Sequence, residues 1–236
     1  MAGKKSRYTL HVKLMERDMH VFSMLGQRGC MTLDSIRRNF WSHTIKKDAE
    51  GNVSYTTTCE DRIEQLKRAG FLKSEIVDAR GRQEQIYYLD KKARLQFDKE
   101  ERKTFYKKRP ANNELRHALN IGDDLDAFSS KVVRFVNEHQ LKSISSQQKT
   151  LGSEVLEVPD ADITIEDAAG KQFSFSIEED GAYHGKRLHQ KLGQLAASNK
   201  SILWVCRSAA RVKHIASLAK QYTNIVPIHF NNLKNI

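Results

Sequence analysis

The hydrophobic residues in the first part of the chain recur at three- and four-residue intervals in three segments, and each segment is predicted to form an amphipathic helix. The first helix covers residues 14–25, the second follows Thr32 as its N-cap, and the third opens with the capping box Thr57-x-x-Glu60. The inward-facing residues are Met15, Met19, Phe22 and Leu25, then Leu33, Ile36 and Phe40, then Cys59, Ile63 and Leu66. A polar insert over residues 42–55 separates the second helix from the third.

Two strand-like segments follow the third helix. Residues 71–77 and 83–89 are predicted strands, joined by a tip at Asp78–Arg82. Three short helices followed by a hairpin are typical of a winged helix-turn-helix, whose third helix enters the major groove of DNA. The residues expected to contact bases or phosphates are Thr56, Thr58, Arg62, Gln65, Lys67 and Arg68 on the helix, and Arg80 and Arg82 on the tip. A winged helix that binds only proteins is the alternative.

The second part of the chain mixes helical and strand-like patterns. Phe128, Val132, Phe135 and Val136 predict one face of a helix, and a short strand is expected over residues 141–145. Four further strands are predicted over residues 155–165, 171–178, 202–206 and 225–230. Two helices are predicted between them, over residues 188–195 and 212–219. Strands that alternate with helices predict a sheet covered on both faces, so the predicted fold class is α+β or α/β.

Two of these strands can be aligned from their pattern alone. Their odd-numbered positions are apolar, which favours a register that pairs Ile165 with Phe173 and Ile163 with Phe175 across a turn at residues 167–170. One face of this strand pair is therefore expected to pack against a helix, and the even-numbered positions share the other face.

The same register places Asp160 opposite Glu178, with Asp180 on the same face. Directly opposed side chains have Cβ atoms roughly 4.5–5.5 Å apart, where like charges repel, so a cation is expected between them. Carboxylate oxygens favour Mg²⁺ or Mn²⁺ over zinc. Lys191 lies at the edge of the next helix's apolar face and is expected to reach the same pocket. The alternative is a solvated acidic strand end at residues 178–180.

Charge divides the chain into two parts. Residues 1–110 carry 25 basic and 15 acidic side chains, whereas residues 111–236 carry 15 and 14. A polycationic half favours a nucleic-acid partner over a membrane surface, and a solvated lysine-rich surface is the alternative that charge alone leaves open. The basic run Lys107, Lys108 and Arg109 ends at Pro110 and would extend the phosphate contacts, so we predict a DNA-binding domain over residues 1–110 and a second domain over residues 111–236.

Several protein classes are excluded. No apolar run approaches the length of a membrane span, and the basic first residues lack the apolar core of a signal peptide. We therefore expect a cytoplasmic protein that does not insert into a membrane. The cysteines Cys30, Cys59 and Cys206 are far apart without a C-x-x-C pair, which argues against a disulfide framework and a cysteine-rich zinc site.

Several motifs together resemble a known family. Pro159-Asp160, Glu178-x-Asp180 and a lysine on the following helix are similar to the PD-(D/E)xK nuclease fold. The segments RIEQLKRAGFL, LRHALNIGDD, VPDADI and FSIEEDG, in that order, resemble replication-relaxation proteins and the MobC class of plasmid mobilisation relaxases. The family's lysine two residues after the acid is absent, because Asp180 stands there, and its role would pass to Lys191 or Lys186.

The resemblance implies a metal-dependent relaxase that nicks one strand of double-stranded DNA at a plasmid transfer origin, together with other mobilisation or coupling proteins. It also implies that His117, which matches the family's histidine, supports the catalytic site, with Asp123 or Asp124 as the following acid. The catalytic set expected from the residues and the resemblance together is Asp160, Glu178, Asp180, Lys191 and His117.

A second function class remains open. The missing lysine favours a non-catalytic DNA-binding protein on a degenerate nuclease fold, which would serve as an accessory, replication-initiation or transcription-regulating factor. If nicking proceeds through a covalent intermediate, the sequence offers several nucleophiles without selecting one, namely Tyr87, Tyr88, Tyr106 and Tyr183.

Overall fold

The structure, a computed structural model, describes residues 12–47, 53–55, 58–128, 131–150, 157–181, 183–198 and 200–236. The chain divides into two units, Met1–Asn112 (unit 1) and Asn113–Ile236 (unit 2). Both contain helices and β-sheets, so the protein has a mixed α+β fold, as expected. Across the described ranges, no helix has the length and apolar character needed to span a bilayer.

Unit 1 contains short helices around a small antiparallel sheet. Its helices are α1 (Glu16–Arg28), α2 (Leu33–Phe40), α3 (Thr58–Arg68), α4 (Lys91–Arg94) and α5 (Lys99–Lys103). Its strands are β1 (Met31–Thr32), β2 (Ile45–Lys47), β3 (Val53–Tyr55), β4 (Leu72–Ala79) and β5 (Arg82–Leu89). The sheet order is β1-β5-β4, and β2 and β3 form a separate antiparallel pair. The apolar faces of α1, α2 and α3 meet in one core with Phe71 and Leu72.

Local signals explain two of these boundaries. The Thr32 side chain accepts a hydrogen bond from the Ser35 N–H at 3.2 Å, so Thr32 is the N-cap of α2, as predicted. The β4–β5 tip is shorter than the predicted five residues, because Arg80 and Gly81 alone form the turn, with φ of 61° and 75°. Two successive positive φ values match the right-handed twist of a two-residue hairpin, and glycine adopts them readily.

Unit 2 is built on a five-stranded sheet. Its strands are β6 (Val132–Asn137), β7 (Ala161–Glu166), β8 (Gln172–Glu179), β9 (Ile202–Cys206) and β10 (Ile225–His229). Its helices are α6 (Leu115–Ala127), α7 (Glu138–Thr150), α8 (Gly185–Ala196) and α9 (Ala209–Ala219), and a 3₁₀ helix covers Phe230–Asn235. The sheet order is β10-β9-β8-β7-β6, with antiparallel pairs from β6 to β8 and parallel pairs from β8 to β10.

Helices cover both faces of this sheet, as the alternating pattern predicted. Ile163, Ile177 and Val205 pack on one face with residues of α6. Trp204 points to the other face and packs against the leucines of α8 and against Ile215 of α9. Neighbouring β9 residues alternate between the two clusters because side chains of a strand point alternately to either side.

The prediction for residues 128–150 was wrong. Val132–Asn137 forms a strand paired with β7, and residues 141–145 lie within α7 rather than in a strand. The β-branched residues of β6 favour an extended backbone, which outweighed their helix-like spacing. The start of α7 has a reciprocal cap: the Asn137 Oδ1 accepts from the Gln140 N–H at 2.9 Å, and the Gln140 Oε1 accepts from the Asn137 N–H at 3.1 Å.

Gly26 of α1 provides a test of the unit 1 core. A Cβ at this position would lie 2.6 Å from the buried Phe105 ring, whereas a Cβ on the helical Gly122 of α6 would meet nothing within 4 Å. We expect Gly26→Ala to lower the free energy of unfolding by about 1–3 kcal/mol, because the ring must move. The matched Gly122→Ala is expected to raise it by about 0.4–1 kcal/mol. Chemical denaturation measures both, and equal effects of the two substitutions would contradict the packing.

Candidate functional site

The predicted register of β7 and β8 is present in the structure. Ile163 pairs with Phe175 and Ile165 with Phe173 in an antiparallel ladder. Asp160 directly precedes β7, while Glu178 and Glu179 end β8. The ladder therefore brings three carboxylates to one edge of the sheet, with Glu178 and Glu179 on opposite faces.

Glu178 is the most buried of these carboxylates. It has no exposed surface, and its Oε2 atom has no hydrogen-bond donor among the described residues. The Lys191 Nζ of α8 forms an ion pair with the Oε1 atom at 2.8 Å. Burial, and next the Asp160 carboxylate, raise the pKa of Glu178 well above its ordinary value, against the effect of Lys191. The pocket therefore favours additional positive charge.

Asp160 is held in a defined orientation from two sides. Its Oδ2 atom accepts a hydrogen bond from the Glu179 backbone N–H at 2.8 Å, and its Oδ1 atom lies 2.9 Å from the His117 Nε2. The side chain is only 3% exposed. Asp160 is thus oriented by its own sheet and by α6 at the same time.

His117 joins a buried polar network that sequence reasoning did not find. Its Nδ1 lies 3.3 Å from the Glu179 Oε2, and the Glu179 Oε1 accepts from the Asn120 amide at 2.8 Å and from the Arg207 Nε at 3.2 Å. Arg207 also donates to the Asp124 Oδ1 at 2.6 Å. The network therefore ties α6 to the ends of β8 and β9.

The imidazole of His117 carries both protons in this setting. Burial lowers its pKa, but the hydrogen-bonded carboxylates of Asp160 and Glu179 outweigh burial and raise the pKa to about 11. Of the acids that the resemblance implied next to His117, Asp124 is fully buried and bound to Arg207. Burial raises the pKa of Asp124 well above its usual value, and Arg207 opposes that effect.

Lys191 connects the pocket to an aromatic residue. Its Nζ donates to the Tyr183 hydroxyl at 3.3 Å and lies 3.5 Å from a Glu157 oxygen. Burial lowers the pKa of Lys191, but the Glu178 and Asp160 carboxylates outweigh burial and raise it above its ordinary value. Lys191 therefore remains charged. Of the candidate tyrosine nucleophiles, Tyr183 belongs to this unit, and the other three belong to unit 1.

Asp180 does not share this pocket. Its two oxygens accept from the Arg211 guanidinium at 2.7 and 2.9 Å, and the Trp204 indole N–H donates to one of them at 3.4 Å. Arg211 also donates to the Tyr183 carbonyl at 2.6 Å. Asp180 is therefore linked to Tyr183 through Arg211, and no contact joins it to Asp160, Glu178 or Lys191, all of which lie in the described ranges. Lys186 is exposed on α8.

Arg62, predicted to face DNA, instead holds α1 against α3. Its guanidinium forms a two-pronged ion pair with the fully buried Asp18 and donates to the Lys13 carbonyl at 2.9 Å. Its side chain is 14% exposed, and its third nitrogen, Nη1, donates to the Gln65 Oε1. This arrangement leaves little of Arg62 for a nucleic-acid partner.

The other predicted DNA contacts fall into two groups. Arg80 and Arg109 are largely buried and form ion pairs with Glu84 and Glu75. The accessible residues are Thr58, Gln65, Arg68, Arg82, Lys107 and Lys108, with Lys67 partly exposed. Arg68 and Arg82 remain 69% and 72% exposed although each pairs with a glutamate. Thr56 lies outside the described residues.

The donors around Glu178 fit a hard divalent cation. Asp160 and Glu178 supply carboxylate oxygens from two adjacent strand ends, and the Glu178 Oε2 has no hydrogen-bond donor among the described residues, whereas Lys191 contacts Oε1. Across the same ranges, no group of three or more His, Cys, Asp or Glu is arranged as a metal cage. A pair of carboxylates suits Mg²⁺ or Mn²⁺ bound together with a substrate phosphate, because Mg²⁺ takes one or two carboxylates and keeps several waters.

Comparison with protein-family models, curated proteins and solved structures finds no match to this chain.

The His117 network predicts a definite pH dependence of stability. The unfolded imidazole has a pKa of about 6.5 and the folded one about 11, so the folded state retains a proton that the unfolded state loses between these values. The contribution of His117 to stability is therefore full below pH 6.5 and decreases as the pH rises toward 11. We expect the difference in Tm between wild type and His117→Gln, measured in EDTA, to shrink from pH 6 to pH 9.5. A difference that grows over this range would contradict the assignment.

Proposed function

We propose that this protein is a metal-dependent DNA-nicking enzyme of the relaxase type, which cuts one strand of a double-stranded transfer-origin-like site. Unit 1 would act as a winged helix that selects the site, and unit 2 as a PD-(D/E)xK-like nuclease domain. The observation that carries the proposal is the buried Asp160–Glu178 pair beside Lys191 at one edge of the sheet.

Asp160 and Glu178 would hold Mg²⁺ or Mn²⁺. The ion, when bound, would supply Lewis-acid polarisation of the phosphodiester and an activated water. Asp160 is suited to this role because His117 and the Glu179 backbone fix both of its oxygens. The second lone pair of each oxygen remains available to a ligand.

Lys191 would stabilise negative charge on the reacting phosphate. Its ammonium is buried, stays protonated and lies 2.8 Å from the Glu178 Oε1. A fixed positive charge in a pocket with little water acts more strongly on a developing charge than it would in solution. The lysine reaches the pocket from α8 rather than from two residues after the acid, where Asp180 stands.

The DNA contacts of unit 1 are assigned to the exposed cations. Arg68 lies on α3 and Arg82 on the β4–β5 tip, while Lys107 and Lys108 extend the footprint before Pro110. These side chains would bind phosphates, and Thr58 and Gln65 on α3 would face base edges. Other mobilisation or coupling proteins would act with such an enzyme.

A specific observation favours a second function. The direct Lys191–Glu178 ion pair partly neutralises the pocket without a metal ion. On that basis unit 2 would be a degenerate nuclease fold, and the protein would be a DNA-binding accessory, replication-initiation or regulatory factor.

Nicking assays on supercoiled plasmid carrying the site separate the two functions. Asp160→Asn and Glu178→Gln are each expected to lower the nicking rate at least ~100-fold in Mg²⁺ or Mn²⁺, because they remove charge that would hold the ion. DNA affinity in EDTA should stay close to wild type. The matched control is Asp162→Asn, which alters a carboxylate on the same face of β7 that pairs with Lys200 at 2.5 Å.

The second function would be supported by wild-type protein that binds the site but leaves the plasmid supercoiled with either metal. Wild-type nicking that survives in both variants would remove Asp160 and Glu178 from the catalytic set. Thermal unfolding of each variant separates lost chemistry from lost folding.

Salt dependence of DNA binding tests the assignment of unit 1. Three variants, Arg68→Gln, Arg82→Gln and the double substitution Lys107→Gln with Lys108→Gln, should each weaken DNA binding. Each lost phosphate contact should reduce the slope of log affinity against log salt by about one. Fluorescence anisotropy with a short duplex measures the slope. Lys171→Gln, an exposed residue of unit 2, is the control and should leave it unchanged. Unchanged slopes in all the unit 1 variants would place the DNA surface elsewhere.

A further inference from the structure

The end of the chain has a one-sided charge. Residues 181–236 contain nine Lys and Arg residues and no Asp or Glu, although residues 111–236 as a whole are nearly balanced. This segment forms α8, β9, α9 and β10. The acids that balance unit 2 therefore all lie in its first part.

Because several of those acids are buried, the exposed charged residues of unit 2 include more basic than acidic side chains. Asp124, Asp160, Glu178 and Glu179 are buried in the site. Among the described residues of unit 2, ten Lys and Arg are exposed against three acids, which are Glu114, Glu157 and Asp167. The most exposed charged residues of unit 2 in the described ranges are therefore mostly basic, although the composition of the unit is nearly neutral.

The topology directs part of this charge toward the candidate site. The strands β8, β9 and β10 are parallel, so α8 and α9 both begin at the edge of the sheet where β8 ends with Glu178 and Glu179. Both helices pack on the face that carries Trp204. Lys186 and Arg187 lie in the first turn of α8 and are exposed.

One aromatic ring connects Arg187 to the pocket. The Arg187 guanidinium carbon lies 5.0 Å from the centre of the Tyr183 ring, and the Lys191 Nζ lies 4.9 Å from the same centre. Lys191 in turn contacts Glu178. The cation–π contact holds the Arg187 side chain beside the pocket. The side chain has therefore lost part of its conformational entropy before a ligand binds.

We infer that Lys186 and Arg187 bind the sugar-phosphate backbone of the DNA strand that flanks the reacting phosphate. Unit 2 thereby adds its own nucleic-acid contact to that of unit 1. The placement of the reacting phosphate rests on the proposed function. A nucleic acid fits better than an acidic protein, because the exposed side chains around this turn are polar, namely His184, Lys186, Arg187, His189 and Gln190, whereas the core of a protein interface is enriched in apolar and aromatic residues.

DNA binding by the full chain in EDTA tests this contact without requiring nicking. The variant is Lys186→Gln with Arg187→Gln, and the matched control is Lys142→Gln with Lys171→Gln, which removes the same charge from exposed positions in the first part of unit 2. Anisotropy is measured across a salt series with a short duplex, with the corresponding single strand, and with polyglutamate as a protein-like polyanion.

We expect the first variant to lower the salt slope by about two for the duplex, the single strand or both, and the control to leave the slopes unchanged. The probe with the larger loss identifies the form of DNA at this surface. Unchanged DNA slopes would overturn the inference, as would a loss confined to polyglutamate, which would indicate an acidic protein partner. If the Lys186→Gln, Arg187→Gln variant binds DNA like wild type while wild-type nicking requires Asp160, this surface is rejected and the proposed function stands. If the variant loses DNA binding but the wild type does not nick, the surface stands and the enzymatic function is rejected.

Discussion

Unit 2 is organised by the mutual repulsion of carboxylates that its sheet forces together. Asp160 and Glu178 are buried at neighbouring strand ends, where water cannot screen their charges. Cationic side chains contact them from both faces of the sheet. Lys191 approaches from α8, and His117 approaches from α6. Even so, burial in the first place and the Asp160 carboxylate in the second raise the pKa of Glu178 well above its usual value, so the compensation is incomplete. Under the proposed function, a hard divalent cation would complete it.

The parts of this arrangement that follow from local rules were predictable from sequence. The β7–β8 register depends only on the two-residue period of a strand and on the turn between the strands, and the Thr32 cap depends on a contact three residues away. The strand β6 was missed because its apolar spacing also fits a helix, and only pairing with β7 decides between the two.

Long-range ion pairs explain most of what the sequence did not reveal. Nothing in the pattern around Arg62 indicates that Asp18, 44 residues earlier, engages its guanidinium, so the residue resembled a groove-facing arginine. Arg207 and Glu179 were missed for the same reason, because they meet only when β8 and β9 lie side by side. The nearly balanced charge of residues 111–236 likewise did not indicate that the exposed charged residues of unit 2 are mostly basic. Burial removes acids from the surface without changing the composition.

The turn between β7 and β8 has more influence than its distance from the pocket indicates. The Asp167 Oδ1 accepts hydrogen bonds from the Ala169 and Lys171 N–H groups, both at 2.9 Å, and these bonds set the length of the turn. Glu178 and Glu179 are consecutive and point to opposite sides, so sliding β8 by a single residue would turn Glu178 from α8 toward α6 and Glu179 from α6 toward α8. An insertion or deletion at this exposed turn would therefore separate Glu178 from Lys191 and Glu179 from His117 while leaving every charged residue in the chain.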